Sequence, residues 1–131
     1  MTETNPIDNE VYSFVAEQID SVPHLEALLL LWNSRPQPWT IENLAQRLYI
    51  SKDIVRGLLE DLIRQRMIVL VPGSSQGYRY SSESTEKDQL MANVDNTYKR
   101  EVVRISTMIH SKPSASLRDF AKAFRFTKER D

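Results

Sequence analysis

The sequence predicts a mainly helical protein carrying one small β-hairpin. Apolar residues recur at helical spacing through successive stretches of the chain. The one unbroken β-prone run, Met67 to Val71, is followed by a glycine-containing loop and then by the alternating Tyr78-Arg79-Tyr80. A length of 131 residues with 40% apolar content suits one domain, or one domain plus an extension, built around a packed core.

The elements follow in order. Asn5-Pro6-Ile7-Asp8 reads as a helix start, with Asn5 as cap, Pro6 in the first turn and Asp8 near the positive end of the dipole. Ile7, Val11, Phe14 and Val15 share one face, and this helix should end near Asp20. Ser21-Val22-Pro23 restarts a helix running to about Ser34, with Leu25, Leu28, Leu29 and Trp32 on its main stripe. Leu30 and Leu31 widen that stripe, which argues for a central position. Arg35-Pro36-Gln37-Pro38 breaks the helix and leaves Trp39 room for only a very short extended segment. Thr40 caps a helix carrying Ile41, Leu44, Ala45 and Leu48; Tyr49-Ile50 turns; Ser51 caps the next helix, whose buried face is Val55, Leu58, Leu59 and Leu62.

Pro72 to Gly77 is the hairpin loop, and Tyr78 and Tyr80 fall on one side, where one ring packs under the hairpin while its hydroxyl stays in water. Ser81 to Thr85 is a polar linker. A single long helix is then expected from about Glu86 to His110, with Leu90, Met91, Val94, Tyr98, Val102, Ile105, Met108 and Ile109 on one arc and Glu101 intruding. Ser111-Lys112-Pro113 stops it. Ser116 caps a last short helix with Leu117, Phe120, Ala121 and Phe124 on one face and Arg118, Lys122 and Arg125 along a flank. The chain thus divides into an N-terminal helical arm, 1–22, a compact domain, 23–81, and a C-terminal helical extension, 82–131, for dimerisation or partner docking.

Composition excludes several chemistries. Without cysteine there is no disulfide, thiol nucleophile or cysteine-held metal centre. Two distant histidines, His24 and His110, argue against a metal site, and no cofactor is expected. Three glycines cannot supply a phosphate-binding loop, and no nucleophile or acid–base signature is present, so an enzyme is not expected. The acidic start is unlike a signal peptide, and the longest apolar run, Ala27 to Trp32, is too short to cross a bilayer, so the expected location is the cytoplasm. The net charge of −1 is unevenly spread. Glu3, Asp8, Glu10, Glu17, Asp20 and Glu26 crowd the first 34 residues with no Lys or Arg, whereas the last third is rich in both. The two ends should attract each other, within one chain or between two.

The order helix, short strand, helix, turn, helix, hairpin over Thr40 to Ser81 resembles the winged helix-turn-helix domain of the small bacterial transcriptional regulators. Ala45 and Val55 stand ten positions apart, where the two helices of such a unit cross closely, and Leu44, Leu48, Ile50, Val55 and Leu58 supply its apolar positions. The resemblance is to the broad family: the hairpin has no acidic-x-Arg signature of the kind found in the multiple-antibiotic-resistance regulators. It implies a recognition helix in the major groove and a wing on the neighbouring backbone. On that basis Ser51, Lys52, Asp53, Arg56, Gln76 and Arg79 are the candidate contacts to double-stranded DNA. Leu90, Val94, Tyr98, Val102, Ile105, Ile109, Phe120 and Phe124 are the candidate interface of a homodimer or of a regulatory protein partner. Asp53–Arg56 and Glu60–Arg64 have the spacing of helix ion pairs, which would leave the recognition helix nearly neutral. That balance keeps open a second function, a non-catalytic protein-interaction module on the same scaffold.

Overall fold

A computed structural model describes residues 6–73 and 76–112. The expected helix from Ser116, with Phe120 and Phe124, lies outside the described residues, as does Asn5. The elements are α1 (Pro6–Gln18), α2 (Val22–Asn33), α3 (Ile41–Leu48), α4 (Lys52–Arg64), β1 (Ile68–Val71), β2 (Gly77–Tyr80), α5 (Thr85–Arg100) and α6 (Val102–His110).

Local chemistry sets most of the boundaries. The hydroxyls of Ser21, Thr40, Ser51 and Ser84 each accept from a backbone N–H in the first turn of α2, α3, α4 and α5, at 3.1 to 3.3 Å. Each such cap contributes about 1 kcal/mol. At the end of α3, Tyr49 takes the left-handed conformation, φ 58°, and the Ile50 N–H returns to the Ala45 carbonyl, 3.2 Å. That reversal makes the tight turn into α4.

The hairpin pairs Ile68 with Tyr80, Val69 with Arg79, Leu70 with Tyr78 and Val71 with Gly77, antiparallel. Trp39 adds a one-residue third strand: its N–H and carbonyl exchange hydrogen bonds with Tyr78, both 2.8 Å. The expected very short extended segment is therefore present. Gly77 is required beside it, since a Cβ there would lie 2.7 Å from the Pro38 Cβ.

α2 is the hub. Leu25, Ala27, Leu28, Leu29, Leu31 and Trp32 are all buried, so it is covered nearly all round. α3, α4, β2, α5 and α6 all pack against it, with α1 against α5 and α6. Trp32 meets Tyr80 edge to face at 4.9 Å, and the Arg35 guanidinium lies 3.4 Å from the Trp32 ring centre. Tyr80 differs from the sequence expectation. Its hydroxyl does not stay in water but donates to Asp88 Oδ1, 2.9 Å, and burial followed by that carboxylate pushes its pKa upward. The same bonds act on the acceptor: donors from Ser82 and then Tyr80 hold the Asp88 carboxyl below its usual range.

The single long C-terminal helix is the main correction. The chain breaks at Glu101 (φ −126°, ψ 44°), giving α5 and α6. A straight helix of that length would run about 37 Å at 1.5 Å per residue. The break returns Ile105 and Ile109 to the core. The intruding Glu101 on the apolar arc and the β-branched Val102-Val103 pair mark the place in the sequence. The attraction between the chain ends is realised within one chain: Arg100 bonds Asp8 at 3.1 Å, Arg104 lies 4.7 Å over the Tyr12 ring, and Lys112 Nζ donates to the carbonyls of Val15 and Ile19.

Ala45 and Val55 are buried at the α3–α4 crossing, and Leu44, Leu58 and Leu62 are buried with them, while Leu48 and Ile50 are half-covered. An Ala45→Leu variant should lose about 1–3 kcal/mol by overpacking, read as a lower denaturant midpoint with an unchanged slope.

Candidate nucleic-acid interface

α4 is short and amphipathic, and its outer face is set by the residues left over once Val55, Leu58, Leu59 and Leu62 are buried. Ser51 caps it, accepting from Ile54 N–H at 3.2 Å. Lys52, Asp53, Arg56, Gly57, Glu60 and Arg64 remain exposed. Arg56 donates to Asp53 Oδ1 at 2.8 Å, as the i, i+3 spacing predicts. Arg64 does not pair with Glu60. It donates to Asp61 instead, and Asp61 reaches back to His24 Nε2, 2.8 Å. Asp61 and Arg64 are an i, i+3 pair within α4, and the His24 contact ties the same carboxylate to α2.

The hairpin brings a second group to this face. Thr40, Ile41, Glu42, Arg56, Gly73, Gln76 and Tyr78 line a cleft of about 560 Å³ between the start of α3, the outer face of α4 and the hairpin loop. Of the residues singled out from sequence, Arg56 and Gln76 thus share one cleft. Lys52 and Asp53 lie one helical turn away at the start of α4. Arg79 stands exposed on β2, opposite Val69.

Two exposed features escaped the sequence reading. Tyr49, 92% exposed, projects from the α3–α4 turn. Gly57 occupies the middle of the outer face of α4, and a Cβ there would meet nothing within 4 Å. Glycine inside a helix costs about 0.5–1 kcal/mol relative to alanine, and no internal packing at this site offsets it. The signal in the sequence was a glycine at the i+4 position from Asp53 on a polar helical face.

The residues expected at an intermolecular interface divide differently. Val94, Ile105 and Ile109 are buried inside the single chain, while Leu90 and Tyr98 are half-covered against the core. The wide apolar arc that pointed to another molecule is mostly covered by α1 and α2. What stays exposed near it is Val102, Val103 and, at the start of α1, Ile7. Away from the cleft, among the described residues, one group with metal-ligating chemistry comes together. The donor atoms of Asp20, His24 and Asp61 lie within 4.8 Å of one another.

No family model and no curated protein matches the sequence. Solved structures do match its fold. The heme sensor protein PefR from Streptococcus agalactiae, in complex with heme, aligns over 95% of this chain and 82% of its own, at 16% identity and a TM-score of 0.54. The adhesin competence repressor AdcR from Streptococcus pyogenes aligns over 94% and 90%, at 19% identity and 0.51. A variant of MepR from S. aureus, bound to an oligodeoxyribonucleotide, aligns over 94% and 86%, at 15% identity and 0.54. The chain has the winged helix-turn-helix fold. Within it α3 and α4 are the helix-turn-helix, with α4 as its second helix, and β1 and β2 form the wing. Among the described residues no helix is long and apolar enough to cross a membrane.

Because Gly57 has open space around it, Gly57→Ala should raise the stability of the free protein by about 0.5–1 kcal/mol. Thermal unfolding of the two proteins side by side measures this.

Proposed function

We propose that this chain is a transcriptional regulator that binds double-stranded DNA as a homodimer, without catalysis, in the cytoplasm. The observation that carries the reading is the outer face of the recognition helix. It presents Lys52, Arg56 and an uncovered Gly57 toward solvent, with Gln76 of the wing across the same cleft. A helix that forgoes a side chain at its centre lets a groove wall approach closely, and Arg56 is the side chain suited to a bidentate contact with guanine. The MepR variant of the same fold bound to an oligodeoxyribonucleotide supports the reading.

The charge balance of α4 fits it as well. Both members of the Asp53–Arg56 pair are largely exposed, and exposed pairs contribute only about 0–1 kcal/mol. A bidentate arginine–guanine contact discriminates by about 1–3 kcal/mol, so Arg56 can leave Asp53 at a net gain. Non-specific binding draws on unpaired cations. With Arg56 and Arg64 each beside an aspartate, affinity for random DNA should be weak and its salt dependence shallow. One observation favours a second reading, docking of a regulatory protein partner on α4: Ile54 and Ile63 are also exposed there.

The dimer would use the end of the molecule where Ile7, Val102 and Val103 remain exposed. Ile7 adjoins Asp8, whose carboxylate holds Arg100 beside Val102, so the three belong to one end. A two-fold axis there would pair two recognition helices, as half-site recognition requires.

Selection of genomic fragments with the purified protein should yield a defined site. Arg56→Ala should then lose about 1–3 kcal/mol of discrimination at one base pair. Arg79→Ala should weaken all sequences alike and reduce the salt slope by about 1. Failure to select any fragment at low salt, with capture of a protein partner that Ile54→Asp abolishes, would replace this reading with the second. For assembly, the wild-type chain should sediment at twice its own mass, and Val103→Asp, at a position 78% exposed, should sediment as a monomer with an unchanged melting temperature. Ile105→Asp does not separate assembly from folding, because Ile105 is fully buried within one chain.

A further inference from the structure

We propose that Asp20, His24 and Asp61 bind one divalent first-row transition-metal ion of the zinc class, clamping the α1–α2 turn to the recognition helix. The site is assembled from distant parts of the chain. Asp20 and Ser21 form the turn, His24 lies in the first turn of α2, and Asp61 is 37 residues further on, in α4.

The geometry suits an ion. His24 Nε2 and Asp61 Oδ2 are 2.8 Å apart, and all three donor atoms fall within 4.8 Å of one another. Two ligands bound at about 2.0–2.1 Å around a tetrahedral zinc stand about 3.3 Å apart, a separation bracketed by those two distances. Bringing the widest separation to that spacing takes a movement of at most about 1.5 Å, within the reach of side-chain rotation.

The imidazole is also held as a ligand is held. Ser21 Oγ lies 2.5 Å from Nδ1, so the far ring nitrogen has a partner that orients the ring while Nε2 faces the carboxylates. Such outer partners are a regular feature of metal-bound histidine. Ser21 is itself fixed, because its hydroxyl accepts the His24 N–H as the cap of α2. The supporting backbone is tied down on both sides. Gln65 Nε2, beyond Asp61, donates to the Gln18 carbonyl at 2.8 Å, and Lys112 Nζ donates to the carbonyl of Ile19, next to Asp20. Ligands on elements already joined lose little freedom when an ion arrives.

The donor set selects the class of ion. One imidazole nitrogen with two carboxylate oxygens suits zinc and its neighbours, whereas calcium and magnesium call for oxygen alone. The side chains of His24 and Asp61 are 14% and 29% exposed. The pocket is therefore screened but open enough for water to complete the coordination. Arg64 approaches Asp61 from outside, with its side chain 72% exposed, and can swing into solvent when the ion enters. A clamp between the α1–α2 turn and α4 would steady the recognition helix. That consequence rests on the DNA-binding reading, but the site itself does not, and its test uses no DNA.

The full chain, stripped with chelator, is titrated with Zn²⁺ at neutral pH by calorimetry and followed by thermal unfolding. The expected result is one ion per chain and a melting temperature that rises with Zn²⁺ concentration, as a native-state ligand requires, with no rise on adding Mg²⁺. His24→Gln and Asp20→Asn should each weaken Zn²⁺ binding by more than about tenfold, and Ser21→Ala by about tenfold. His110→Gln should leave it unchanged. Circular dichroism of the metal-free variants establishes that they fold; if His24→Gln does not, Asp20→Asn at the turn decides. No stoichiometric binding by the wild-type chain, binding retained in the folded ligand variants, or binding lost in His110→Gln would each overturn the proposal.

Discussion

The structure depends on the covering of α2. A helix with leucine, alanine and tryptophan on almost every side cannot rest on one neighbour, because any face left open exposes a large apolar area to water. Here the α3–α4 unit, the hairpin, α5 and α6 all pack against it. Burying a leucine-sized side chain contributes about 1.5–3 kcal/mol. The six buried side chains of this one helix therefore hold the elements packed on it together. The Trp32–Tyr80 contact joins the hairpin to that hub, and the Tyr80 hydroxyl bond to Asp88 carries the link on to the start of α5.

The same covering explains why α4 is left so exposed. α4 gives four apolar residues to the core, and everything else on it is free to face outward. Its charges then settle locally, Arg56 with Asp53 and Arg64 with Asp61. These pairs are weak because water competes for both partners. They hold the face near neutrality. Asp61 differs from Asp53 because it also meets His24. Through that contact, the face turned toward the outside is connected to the turn between α1 and α2.

The C-terminal half shows how an apolar arc is resolved when chain geometry limits it. Leu90 to Ile109 carry enough apolar surface for an interface, yet Met91, Val94, Ile105 and Ile109 are spent on the chain's own core. The break at Glu101 makes this possible, and Arg100, on its near side, is held by Asp8 from α1. Folding back leaves only Val102 and Val103 of that arc region well exposed, a far smaller patch than the sequence pattern suggests. The acidic start and the basic later segment meet here within one molecule, so their complementarity serves first to dock α1.

The sequence by itself determined the local elements and their order. Periodicity, capping hydroxyls, prolines and a glycine-bearing loop are short-range signals, and short-range physics decides helix starts, turns and the hairpin. It also determined the helix-turn-helix register, since Ala45 and Val55 must meet if Leu44 and Leu58 are to be buried, and it identified the exposed bases of α4. Only the tertiary structure decided which apolar faces were covered from within. The bend at Glu101 reflects competition between a straight helix and the core contacts of Ile105 and Ile109; Glu101 and Val102-Val103 mark its place, but the burial that decides it is not local. Only the tertiary structure, likewise, decided that Arg56 and Gln76 share a cleft, and that Asp20, His24 and Asp61 converge. Each is a meeting of side chains from separate elements and depends on how those elements pack around α2.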